Sequence, residues 1–207
     1  MWMFFLTFLV AVVMNFVGYI PFGNINLTTV QISVNRGIKQ AVYFITTFSI
    51  VDILCTYALM SFAEWFASHA DWLNYLDFVL IAIFLIMGFI SWNTAEHPKE
   101  VEYRRRDSIR YGVILGIFNP MQIPFWMIGG TYLISENWIT TEGWGLEIFS
   151  VGAGLGAFLS LYLFARFAKY IQEKFALSAK VINKSIACVF FLLALIHIIK
   201  LAWIFWK

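Results

Sequence analysis

One carboxylate lies deep inside an apolar stretch of the sequence, and two hydroxyl side chains share its helical spacing. Asp52 lies 14 residues after Ile38 and 10 residues before Phe62, the ends of this stretch. Ser49 precedes it by three positions and Thr56 follows by four, so an α-helix places all three on one face. An ionised side chain at the centre of a bilayer costs roughly 2.5–3.5 kcal/mol, which makes it a functional candidate. We therefore predict that Asp52 carries a proton, with Ser49 and Thr56 beside it; the alternative is a protonated Asp that only joins helices.

Two polar interruptions of apolar runs could bind a small molecule. Pro21-Phe22-Gly23-Asn24 is followed by further polar residues, and Asn119–Pro124 interrupts another run about 100 residues later. A broken segment at membrane depth is tolerated only where protein or a water-filled cavity covers it, and proline frees a backbone carbonyl one turn earlier. Such breaks indicate binding sites in transporters. The predicted substrate-binding residues are Pro21, Gly23, Asn24, Asn26, Asn119, Pro120, Gln122 and Pro124.

Other chemistries find little support in the sequence. The two cysteines, Cys55 and Cys188, lie in separate apolar runs and form no CxxC pair. No HExxH, Walker or GxSxG motif occurs, and no basic patch is interleaved with aromatic residues. We therefore predict no enzymatic activity, no cofactor, no bound metal and no nucleic-acid partner.

The composition indicates a polytopic membrane protein. The chain has 207 residues, of which 61% are hydrophobic and 13% charged, whereas soluble domains have about 45–50% apolar and about 25% charged residues. A membrane-spanning helix needs about 20 apolar residues. Six stretches are predicted to span the bilayer: about Trp2–Asn35 (interrupted), Ile38–Phe62, Trp72–Trp92, Tyr111–Ser135, Gly145–Phe167 and Val181–Trp203.

The positive charges give these spans an orientation. Twelve of the 14 Lys and Arg residues fall in alternate connections. They are Arg36, Lys39, Lys99, Arg104, Arg105, Arg106, Arg110, Arg166, Lys169, Lys174, Lys180 and Lys184. Because positive residues concentrate in cytoplasmic loops, we predict a multi-pass protein of the inner (plasma) membrane with both termini extracytoplasmic.

An odd number of spans in each half makes the second half enter the membrane in the opposite sense. The predicted fold is therefore all-α, with six transmembrane helices arranged as two inverted three-helix repeats, and with helices 1 and 4 broken at prolines. The repeats cover about residues 1–92 and 111–207 of one transmembrane domain, joined by a cytoplasmic loop at about 93–110. Glycine pairs spaced as GxxxG, at Gly112/Gly116 and Gly152/Gly156, predict close helix packing and make a homodimer conceivable.

Three local patterns, together with the length and the six segments, give the chain a resemblance to a known family. They are Pro21-Phe22-Gly23-Asn24 leading to Asn35-Arg36-Gly37, Asp52 in the second segment, and Asn119-Pro120-Met121 in the fourth. The chain resembles the LysE/RhtB family of amino-acid exporters, as a divergent member. Members commonly have Pro-Gly-Pro at the first position and Asn-Pro-Lys at the last, whereas this chain has Pro-Phe-Gly and Met121.

The resemblance implies proton-driven export of amino acids or similar metabolites by alternating access, with the bilayer and a small-molecule substrate as partners. Two alternatives from other classes stay open. A divalent-cation transporter of the wider superfamily would need several oxygen or thiolate ligands at mid-membrane. A non-transporting membrane scaffold would leave the paired breaks unexplained.

Overall fold

The computed structural model describes residues 1–21, 23–69, 73–93, 105–119, 121–174 and 179–206. These described residues form nine helices and no strand. The helices are α1 (Trp2–Gly18), α2 (Asn24–Arg36), α3 (Ile38–Ser68), α4 (Leu73–Asn93), α5 (Arg105–Ile117), α6 (Gln122–Ser135), α7 (Gly145–Arg166), α8 (Ala168–Lys174) and α9 (Ala179–Trp206).

Among the described residues, three helices are long and apolar enough to cross a membrane, within α3, α7 and α9. The pair α5 and α6, bent by 51° at its break, makes a fourth candidate. Two shorter apolar helices, Trp2–Gly18 and Asp77–Asn93, coincide with the first and third predicted spans. The chain is thus an all-helical polytopic membrane protein, whereas the number of six spans stays a prediction.

The helices fall into two compact units, and the first contains both breaks. This unit comprises Met1–Glu64 and Glu100–Ala176. In it α1 packs along α7, and the glycines of α7 allow the close approach. A methyl group at Gly152 would lie 2.7 Å from Phe8 O, and one at Gly156 would collide with Val12 O. The contact four residues later in α7 is also four residues later in α1. The two helices therefore run in the same direction.

The helix α3 runs opposite to α1 and parallel to α5. A methyl group at Gly112 would lie 2.7 Å from Phe44 O, and one at Gly116 would lie 2.7 Å from Val51 Cγ1. Each predicted GxxxG pair therefore lies where two helix backbones meet, as small residues do in membrane proteins. The third glycine of α7, Gly154, faces α3 instead of α1, so α7 packs closely on two helices.

Two apolar clusters form the core of this unit, and Asp52 lies between them along α3. One cluster contains Phe44 and Phe48 of α3 with residues of α2 and α7. The other contains Met60 of α3 with Trp126 of α6 and residues of α1 and α7. A polar layer thus separates two apolar layers at the level of both helix breaks.

The second unit comprises Trp65–Lys99 and Leu177–Lys207. Here α4 packs against α9, and the two helices are antiparallel. Gly88 of α4 has no side chain and accepts the ring of Phe191. Phe84 packs on Phe190, with ring centroids 6.3 Å apart.

Both predicted interruptions are present, and one predicted loop is partly helical. The first helix ends at Gly18, before the proline, and α2 begins at Asn24. The connection predicted at about 93–110 lies largely outside the described residues, but α5 already begins at Arg105. Asp107 in its first turn favours this earlier start, because a carboxylate stabilises the positive end of a helix.

The close approach of α1 to α7 gives a first prediction. Gly156→Ala should lower the free energy of unfolding by about 1–3 kcal/mol, because the new methyl group meets backbone atoms of Val12 and Phe16 that cannot rotate away. Gly129→Ala in α6 is the matched control, since its nearest atom is Met14 Cε at 3.8 Å. The control should be neutral or stabilising by about 0.5–1 kcal/mol. Thermal melting in detergent measures both, and equal melting temperatures would contradict the packing.

Candidate functional site

The carboxylate of Asp52 is fully buried and accepts hydrogen bonds from three other elements. Asn15 Nδ2 of α1 donates to Oδ2 at 2.8 Å. The hydroxyl of Tyr19, which follows α1, donates to Oδ1 at 2.8 Å. Gln122 Nε2 of α6 also donates to Oδ1. Among the described residues no Lys, Arg or His forms an ion pair with Asp52, so the surrounding hydrogen bonds alone compensate its burial.

Tyr19 connects the two breaks through its hydroxyl group. It lies in the first break, and while donating to Asp52 it accepts a hydrogen bond from Asn119 Nδ2 of the second break at 3.0 Å. Its ring meets the edge of Phe48 in α3, with centroids 5.6 Å apart. Residues about 100 positions apart in the sequence therefore share one hydrogen-bonded chain.

The second break is shaped by Asn119 itself. Its Oδ1 accepts from the backbone N–H of Met121 at 3.3 Å, and its carbonyl accepts from the N–H of Gln122 at 3.3 Å. Pro124 lies in the first turn of α6, where a backbone N–H would lack an intrahelical acceptor in any case. The break thus places two side-chain amides towards α1 and α3 while α6 begins without distortion.

Three buried polar groups near the middle of this unit have no hydrogen-bond partner within the described part of the chain. They are the hydroxyls of Ser49 and Thr56 and the indole N–H of Trp126. Buried donors without partners are rare in folded proteins and call for an explanation such as a bound ligand or water. Ser49 and Thr56 were expected beside Asp52, and all three are buried on α3.

The predicted residues of the first break do not all point into this site. Asn26 is buried, but its Nδ2 donates to the carbonyls of Tyr19 at 2.6 Å and Pro21 at 3.3 Å, so it stabilises the break itself. Pro21 and Asn24 are exposed, and Gly23 is partly buried. The prediction for Pro120 lies outside the described residues.

Sequence reasoning gave too little weight to two residues that contact Asp52. Asn15 and Tyr19 are not among the predicted site residues, yet both donate to the carboxylate. Asn15 Nδ2 also lies 2.7 Å from the carbonyl oxygen of Ala153 in α7, between two of the glycines. The available signal was their spacing, because a polar residue in an apolar helix and a tyrosine four positions later share one face.

A second charged cluster occurs in the other unit and was not predicted. Asp77 of α4 is buried, with His197 Nδ1 at 2.7 Å from Oδ1 and Lys200 Nζ at 2.8 Å from Oδ2. His197 and Lys200 both belong to α9. Their spacing of three residues places both on one face of α9, which could have indicated a shared carboxylate partner.

Broken helices around a buried polar site are typical of secondary transporters, whose substrates bind at such interruptions. This chain has that combination, an all-helical fold in which two helix breaks meet at a buried polar group. The sequence profile of the family described as LysE type translocator matches residues 16–201, nearly the whole chain. The chain therefore belongs to the LysE type translocator family, which implies membrane transport of amino acids or related compounds. No curated protein and no solved structure matches the chain significantly.

The cluster around Asp77 gives a prediction about stability. Asp77→Asn should lower the free energy of unfolding by about 1–3 kcal/mol, because it removes a charged acceptor from His197 and Lys200. Glu136→Gln is the matched control, since it removes the same charge from an exposed turn and should change stability by less than about 0.5 kcal/mol. Thermal melts in detergent compare the two, and a loss as large in the control would refute a specific role for Asp77.

Proposed function

We propose that this protein exports a small amino acid or a related metabolite across the inner membrane, coupled to proton entry, by alternating access. The observation that carries the proposal is a buried carboxylate that joins both helix breaks and has no cationic partner among the described residues. Because Asp52 has no exposed surface in this conformation, a proton or a substrate reaches it only when the surrounding helices move.

The hydrogen bonds explain how proton uptake would change the conformation. An ionised carboxylate is an acceptor only, and all three of its side-chain partners here act as donors. A protonated Asp52 carries a donor of its own, and none of these three groups accepts it in its present role. Tyr19 is the partner that links Asp52 to Asn119, and its reversal would loosen the connection between the breaks.

The directions of the helices support two inverted halves. In the proposed arrangement α1 corresponds to the α5–α6 pair, α3 corresponds to α7, and α4 corresponds to α9. The parallel pair of α1 with α7 in this arrangement is therefore equivalent to the parallel pair of α5 with α3. Both pairs make close contact through glycines. The distribution of Lys and Arg supports extracytoplasmic termini.

The polar groups of the site suit a zwitterion. Asp52 would bind the ammonium group, since a carboxylate is the complementary charge for it. The amide groups of Asn119 and Gln122, with the amino-terminal end of α6, would bind the carboxylate, because a helix N-terminus favours an anion. The unpartnered Ser49, Thr56 and Trp126 groups would bind the remaining polar atoms or water.

Transport by Asp52→Asn tests the role of the carboxylate. Asparagine keeps the size of the side chain but carries no exchangeable proton at neutral pH. In proteoliposomes with an imposed pH gradient, the variant should lose its gradient-driven amino-acid flux, because no side chain at position 52 then takes up and releases a proton. Counterflow without a gradient should be retained better.

Glu64→Gln on the same helix is the control, because it removes a carboxylate outside the site and should transport normally. Gradient-driven flux in Asp52→Asn equal to that of the unaltered protein would show that Asp52 does not couple the proton. Metal-dependent flux without amino-acid flux would instead favour a divalent-cation transporter. Absence of any flux for a broad metabolite panel would favour a scaffold.

A further inference from the structure

A basic cavity lies away from Asp52, between the turn joining α2 and α3 and the turn joining α7 and α8. Its volume is about 410 Å³. Eight residues line it: Ser33, Gly37, Ile38, Tyr162, Ala165, Arg166, Ala168 and Lys169. All of them belong to the first unit, and none takes part in the hydrogen-bonded chain around Asp52.

The cavity has an excess of positive charge without a matching carboxylate. Arg166 and Lys169 line it, while Arg36 and Lys39 flank the lining residues of the α2–α3 turn. All four side chains are exposed, and none forms an ion pair within the described part of the chain. Glu173 lies one turn beyond Lys169 on α8 and does not line the cavity. Because like charges held together repel each other, a bound anion would stabilise this arrangement.

The backbone at the cavity adds donors. Gly37 has φ +84°, a conformation that favours glycine, and this lets α3 begin immediately after α2 ends. Gly37 O accepts the first helical hydrogen bonds from Gln40 and Ala41. The N–H groups of Ile38 and Lys39 therefore precede Gln40, the first helical donor, and lie at the positive end of a 31-residue helix.

The rest of the lining is mostly apolar and continues onto an exposed apolar surface of α7. Ala165 and Ala168 are buried, and Tyr162 is partly exposed and stacks on Phe158. From Tyr162 the outer side of α7 continues with exposed leucines, at Leu155, Leu159 and Leu163. A ligand at this place thus meets cations at one end and a membrane-facing apolar surface at the other.

We propose that this cavity binds the phosphate headgroup of an anionic phospholipid, with the acyl chains lying along α7. Arg166 would bind the phosphate oxygens in a forked geometry, and Lys169 would add a point charge. Basic pockets between helices on the cytoplasmic side are suited to such headgroups. The site goes beyond the proposed function, because it needs neither Asp52 nor a substrate. A free phosphorylated compound shares the headgroup chemistry but has no acyl chain for the surface of α7.

Lipid binding to the purified, delipidated full-length protein tests the proposal. Native mass spectrometry and thermal melting are measured with phosphatidylglycerol, with phosphatidylcholine of the same acyl chains, and with inorganic phosphate or glycerol 3-phosphate. We expect phosphatidylglycerol to bind at least fivefold better than phosphatidylcholine and to raise the melting temperature. The soluble phosphates should do neither at equal concentration.

Two double variants locate the site. Arg166→Gln/Lys169→Gln should lose at least fivefold of the phosphatidylglycerol affinity. Arg110→Gln/Lys184→Gln removes two charges from the same predicted membrane side outside the cavity and should keep the affinity. Arg166→Lys, which retains the charge, gives a second variant if the first does not fold, and it should bind more weakly because it lacks the fork.

Three results would overturn the proposal. Equal binding of phosphatidylglycerol and phosphatidylcholine would show that the protein does not recognise the anionic headgroup. Equal losses in both double variants would indicate a general charge effect. Saturable displacement of the lipid by soluble phosphate would identify a free phosphorylated compound as the ligand. None of these results bears on Asp52, whose transport assay fails or succeeds independently.

Discussion

The burial of Asp52, which has no cationic partner in the described part of the chain, is the constraint on which the rest of the first unit depends. An ionised group removed from water needs compensation, and here three neutral donors from α1, the first break and α6 supply it. These donors come together only if α1 ends near α3 and α6 begins beside both. Both helix interruptions therefore lie beside one carboxylate, which Tyr19 of the first break and Gln122 at the start of α6 both contact.

The glycines of α5 and α7 make this arrangement possible by packing. They let the backbones of α1, α3, α5 and α7 approach so closely that Asn15 reaches both Asp52 and the carbonyl of Ala153. Apolar clusters above and below exclude other partners from the polar layer. A change in the protonation of Asp52 would consequently shift the helices relative to one another. Its partners belong to different elements, and the position of each partner depends on how the helices pack.

Much of this organisation could be predicted from the sequence, because the signals were local. The apolar runs, the helix breaks, the GxxxG pairs and the face shared by Ser49, Asp52 and Thr56 all follow from spacing along one element. Spacing along one helix placed Asn15 with Tyr19 and His197 with Lys200, but that these pairs contact Asp52 and Asp77 depends on which helices pack together. Asn24 looked equivalent to Asn26, but rotation about the α2 axis leaves one exposed and the other buried.

A double-mutant cycle on Asp52→Asn and Tyr19→Phe tests most directly whether the carboxylate joins the two breaks. The free energy of unfolding in detergent is measured for both single variants and the double variant, with Asp52→Asn combined with Glu136→Gln as the distant control pair. The hydrogen bond between the two side chains predicts a coupling energy above about 0.5 kcal/mol, against additivity within about 0.3–0.5 kcal/mol for the control. Additive effects of Asp52→Asn and Tyr19→Phe would contradict the account.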